Sequence, residues 1–165
     1  MSTWYGMTYP ENKNEMYELL AQQLSGLMEG EREMIPNLAN MSALIFDALE
    51  DLNWAGFYLM KEGVLLLGPF QGKPACIRIP VGRGVCGTAA ASLQTQRVYD
   101  VHQFPGHIAC DGASNSEIVV PLMAGGVLVG VLDIDSPVIG RFDEEDQAGL
   151  EEMCRILVSG CRWNA

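Results

Sequence analysis

The chain has 165 residues, 48% of them apolar, enough to enclose one substantial core and too few for two comfortable domains. Ten Lys and Arg against 21 Asp and Glu leave a formal charge of −11, which repels phosphate backbones and anionic lipid surfaces and argues against nucleic acid or membrane as partners. The longest apolar runs, such as residues 127–132, are interrupted by Gly and ended by Asp, far short of the ~20 residues of a membrane span.

Residues 1–13 hold no cationic stretch followed by an apolar run and a cleavage site, so a loose N-terminal arm and a cytoplasmic location are expected. Apolar residues at helical spacing predict helices over 15–28 and 34–49, within a single domain spanning 14–163. Strands follow at 54–60, 64–67 and 75–79, the last bounded by Pro74 and Pro80. Beyond the glycine-rich segment 81–87, the residues predict a short helix at 88–96, a strand at 97–101 and a long loop at 102–116. Strands at 117–123 and 127–135 then flank the turn Ala124-Gly125-Gly126, and an acidic first turn opens a last helix over 142–158. The order ααβββαβββα implies an α+β fold with a mainly antiparallel sheet packed against helices.

Gly82-Arg83-Gly84-Val85-Cys86-Gly87 matches the spacing of a dinucleotide-binding turn, but no alternating strand–helix–strand pattern surrounds it. It reads instead as a tight loop carrying Cys86. Five cysteines in a reducing compartment are free thiols by default, and their odd number argues against a complete disulfide framework. Cys154 and Cys161 fall on the last helix and read as small buried hydrophobes. Cys76, Cys86 and Cys110 lie in or beside loops rich in Gly, Pro, Asp and His, where access to a reactant is plausible. With His107 they offer zinc-type ligands, yet no C-x-x-C pair is present and no metal or other cofactor is expected. Alternation along the strand at 127–135 puts Val127, Val129, Val131, Asp133 and Asp135 on one face, with Glu117 able to lie opposite the two acids. Solvated sheet-end acids, a working carboxylate cluster and a hard-cation site all fit that spacing.

Taken together, Asn53-Trp54-Ala55-Gly56-Phe57-Tyr58, Leu67-Gly68-Pro69-Phe70-Gln71-Gly72, the segment from Pro80 to Gly87 and Gly106-His107-Ile108-Ala109-Cys110-Asp111 resemble the free methionine-(R)-sulfoxide reductases. Ser114-Asn115-Ser116-Glu117-Ile118-Val119 and Gly130-Val131-Leu132-Asp133-Ile134-Asp135-Ser136 extend the match. That resemblance implies a GAF-like domain acting as a catalytic scaffold. It also implies that Cys110 attacks the sulfoxide, Cys76 resolves the product as a disulfide, Cys86 assists, and thioredoxin restores the thiols. Glu117, Asp133 and Asp135 would then bind substrate together with Trp54 and Tyr58, with Glu117 donating the proton. Members of the family are commonly homodimers; the two opening helices could form such an interface or equally be buried on the sheet. The competing reading is a non-enzymatic GAF-type sensor of a small ligand or of redox state.

Overall fold

Both opening helices form where spacing predicts them. Helix α1 (Lys13–Leu27) is capped by Asn12, whose side-chain oxygen accepts from the Glu15 N–H at 3.0 Å, and α2 (Met34–Ala48) follows a six-residue link. The computed structural model describes residues 3–4, 7–108 and 112–163. Ahead of α1, two short strands, β1 (Thr3–Trp4) and β2 (Met7–Thr8), pair antiparallel. The expected loose arm is thus anchored: Tyr9 is buried, and its hydroxyl donates to the Gln23 side chain at 2.9 Å.

The remaining strands are β3 (Trp54–Lys61), β4 (Val64–Gly72), β5 (Arg78–Pro80), β6 (Gln96–Val98), β7 (Ser116–Ala124) and β8 (Val127–Ser136). They form one antiparallel sheet in the order β5-β4-β3-β8-β7-β6, so the two hairpins β3-β4 and β7-β8 meet along β3 and β8. Ala55, Phe57, Ile118, Leu132 and Ile134 face the larger core, which α1, α2 and the last helix, α4 (Glu144–Gly160), cover. The apolar face of α2 is buried on β3 and β4, and that of α1 against α4 and α2. Trp54, Tyr58, Val119 and Val131 point the other way, where helix α3 (Gly84–Ser92) packs. No helix among the described residues is long and apolar enough to cross a membrane.

Three sequence expectations need correction. The strand placed at 75–79 is only Arg78–Pro80, because Pro74 has no N–H to give a ladder and the Cys76 carbonyl accepts from the Tyr58 hydroxyl at 2.8 Å. Helix α3 begins at Gly84, four residues earlier than 88, so Cys86 lies in its first turn. A bulge then shifts the pairing from Leu122↔Gly130 to Met123↔Leu128. The extra residue inverts the alternation, so Val129 packs with the helix-covered core and leaves the row of Asp133 and Asp135.

Helices α1 and α4 are locked together at their starts. Asp143 and Asp146 cap each other's backbone N–H groups at 3.0 Å, Lys13 Nζ donates to both carboxylates at 2.8 and 2.7 Å, and the buried Tyr17 hydroxyl donates to Asp146 at 2.7 Å. The Tyr17 ring lies directly on Gly149, where a Cβ would come 2.2 Å from Cγ. Helix propensity alone would make Gly149→Ala stabilising by about 1 kcal/mol. The contact reverses the sign: urea unfolding is expected to show a loss of about 1–3 kcal/mol from overpacking.

Candidate active site

The β7·β8 register sets Glu117 directly across from Asp135 and Val119 across from Asp133, so the three acids share the sheet face turned toward α3. Strand β3 lies on the other side of β8, with Trp54 opposite Asp135 and Gly56 opposite Asp133. The three carboxyl groups, Trp54, Tyr58 and Cys86 line one cavity, which residues 74–75, 107–108 and 114 help to enclose. Solvated sheet-end acids are thereby ruled out: Glu117 and Asp133 are each 6% exposed.

Glycine makes room for the aromatic wall. A Cβ at Gly56 would come 2.2 Å from that of Phe70, and without one, Trp54 stacks on Phe70 at 5.0 Å and on Tyr58 at 5.9 Å between ring centroids. The Trp54 indole N–H donates to the Lys73 carbonyl at 3.1 Å, and Tyr58 holds the Cys76 carbonyl, so both rings fix the loop that carries Cys76. Phe70 belongs to this wall although spacing gave it no role; its place opposite Gly56 in β4 is the signal that could have found it.

Among its described lining residues the cavity sets three carboxyl groups against one arginine, Arg83. Burial, and then the neighbouring acids, pushes the Glu117 and Asp135 carboxyl groups well above the usual carboxylate range, and burial raises Asp133 as well. Ser114 bridges Asn53 to the cluster, accepting from its amide at 3.0 Å and donating to Asp135 Oδ2 at 3.1 Å. The other oxygens, Asp133 Oδ1 and Asp135 Oδ1, are buried with no hydrogen-bond partner among the described residues. His107 Nε2 lies 3.9 Å from Glu117 Oε1. Burial, together with His102, holds its pKa below the usual imidazole range, so it is neutral at neutral pH.

The cysteines separate into distinct environments. Cys86 lines the cavity but is 4% exposed, contrary to the expected access, and burial followed by the three acids drives its thiol pKa well up. Such a thiol keeps its proton and is a poor nucleophile. Cys154 and Cys161 are buried free thiols, as small core residues would be. Cys76 is disulfide-bonded. Cys110 falls outside the described residues. Gly82-Arg83-Gly84-Val85-Cys86-Gly87 is a self-closing turn, in which the Gly82 N–H donates to the Gly87 carbonyl at 2.8 Å. A Cβ at Gly87 would strike the Pro80 carbonyl at 2.6 Å, so glycine serves close backbone packing there.

Residues 36–159 match the GAF domain family. The chain is 59% identical over 146 residues to the free methionine-R-sulfoxide reductase of Escherichia coli K12, covering 88% of each chain. It is 46% identical over 158 residues to the enzyme of the same name from Saccharomyces cerevisiae, covering 91% of this chain and 88% of that one. Among solved structures, free methionine-R-sulfoxide reductase from Neisseria meningitidis, in complex with its substrate, superposes with a TM-score of 0.90 at 41% identity, covering 95% of both chains.

The raised carboxyl groups make stability depend on pH with a definite sign. Their ordinary values are 4.5 for Glu117 and 3.8 for Asp135, so above these the unfolded chain has lost protons that the folded protein still holds. Their contribution is complete below those values and is lost as pH rises through the raised folded pKa. Ligand-free protein is expected to melt at progressively lower temperature as pH rises above about 5, and Glu117→Gln to flatten that slope.

Proposed function

The chain belongs to the free methionine-R-sulfoxide reductases of the GAF-domain family, and on that premise we propose that its pocket reduces free methionine-(R)-sulfoxide to methionine through Cys110 and Cys76. The observation that carries the reading is the pair of buried oxygens on Asp133 and Asp135 that lack a hydrogen-bond partner among the described residues, inside a pocket whose three carboxyl groups face one basic lining residue, Arg83. An α-ammonium group supplies three N–H donors and a positive charge to such oxygens. A peptide nitrogen supplies no charge and only one N–H donor, so the pocket favours the free amino acid. The stacked rings of Trp54 and Tyr58 offer an apolar wall for the sulfoxide's methyl end.

The chemistry needs a nucleophile and an acid together. The Cys110 thiolate attacks the sulfoxide sulfur, the oxygen takes a proton, and methionine departs as Cys110 is oxidised to a sulfenic acid. Glu117 is the donor: its high pKa keeps a proton available near neutrality, while Asp135 and Asp133 hold the ammonium. The Cys76 thiol then condenses with the sulfenic acid, releasing water and leaving a disulfide for thioredoxin to reduce. The disulfide at Cys76 supports its place as a redox-active thiol of this pocket's loop. Burial and a raised pKa argue against Cys86 as an exchanging thiol.

Thioredoxin-coupled NADPH oxidation is expected with free methionine-(R)-sulfoxide and not with the S epimer or a peptidyl sulfoxide; silence with all three would favour a sensor. Glu117→Gln should lower kcat by about 10²–10⁴-fold with a smaller change in KM, and wild-type turnover in that variant would exclude it as the donor. Asp135→Asn should act chiefly on KM. Peptide mapping by mass spectrometry after exposure to substrate without reductant should find Cys76 joined to Cys110. A Cys86 to Cys110 bridge would overturn the assignment of Cys76.

A further inference from the structure

Zinc-type spacing is missing from the sequence, yet the fold assembles a zinc-type ligand set from three separate elements. Cys86 comes from the first turn of α3, Glu117 from β7 and Asp133 from β8. Their ligand atoms all lie within 4.8 Å of one another, and all three side chains are buried. A tetrahedral zinc site holds neighbouring ligand atoms roughly 3.3–3.7 Å apart, so inward rotation of these side chains about a central ion closes the set. His107 Nε2 lies 3.9 Å from Glu117 Oε1 but outside the three-residue cluster, so its ring must move inward to supply the fourth ligand. Asp133 Oδ1, buried and unpartnered, is a carboxylate oxygen still lacking a positive partner.

We propose that this pocket binds one thiophilic divalent cation of the zinc class through Cys86, Glu117, Asp133 and His107. The donor set of one sulfur, two carboxylates and one imidazole selects zinc, cobalt or cadmium. Calcium needs more oxygens and magnesium an octahedral shell. A dication supplies the counter-charge that the packed acids and the buried Asp133 Oδ1 lack among the described residues. The ligands overlap the residues read above as the ammonium site, and where both readings hold, cation and substrate compete.

Cobalt(II) is the probe, because thiolate coordination gives an intense near-ultraviolet charge-transfer band that oxygen ligands do not. The protein is used in its Cys76-disulfide form, which removes that thiol from the titration. One equivalent of cobalt is expected to bind with the charge-transfer band and be displaced by zinc. Cys86→Ser should abolish the band, while Cys154→Ser and Cys161→Ser keep it; Asp133→Asn and His107→Asn should each weaken binding by about tenfold or more. Cys86→Ala serves if the serine variant melts below wild type. No band up to millimolar cobalt, or a band surviving without Cys86, would overturn the proposal. Saturating free methionine is expected to raise the apparent cobalt Kd. Cobalt binding that ignores methionine would uphold the metal site and count against the ammonium reading, so the two can fail separately.

Discussion

The structure turns on one cross-strand pair, Glu117 opposite Asp135, with Asp133 two residues along the same face of β8. Like charges placed opposite each other in a sheet repel, and burial raises the cost further. The protein meets that cost by holding protons on the cluster and by directing the Ser114 hydroxyl at Asp135. Two oxygens are left without a partner, and a cationic group is what they can accept. Free substrate ammonium and a divalent metal ion are chemically alternative answers to the same deficit.

Everything around the cluster keeps it dry and in position. The six-stranded sheet divides the apolar residues between two faces, and the larger core with α1, α2 and α4 holds the strands rigid from behind. On the front, α3 begins in a glycine turn packed against Pro80, and that brings Cys86 to the acids. Gly56 allows Trp54, Phe70 and Tyr58 to close into a wall, whose two polar atoms in turn hold the Cys76 loop. The aromatic wall and the loop that carries Cys76 are thus one mechanical unit.

The two hairpins were readable because their turns are marked by glycine and their strands by alternation. The alternation failed only at the bulge, where one extra residue sends Val129 to the other face. Carried up from the turn, where Ala124 pairs with Val127, the register would set Glu117 opposite Ile134; the bulge, invisible in the sequence, moves it opposite Asp135. Cys76 was misplaced on a strand because the contact that withdraws its carbonyl from the ladder comes from Tyr58, 18 residues away. Cys86 read as an accessible loop thiol since small residues give no sign of where α3 starts.

Taken alone, the amino-acid sequence determined the α+β class, the hairpin order, the acidic character and, through motif resemblance, the family, because these depend on local periodicity and on residue identity. Only the tertiary structure decided that the three carboxyl groups are buried, that Cys86 joins them, and that His107 faces Glu117. Those facts depend on which segments distant in the chain meet, and the pKa of an acid or thiol is set by that company rather than by its neighbours in sequence.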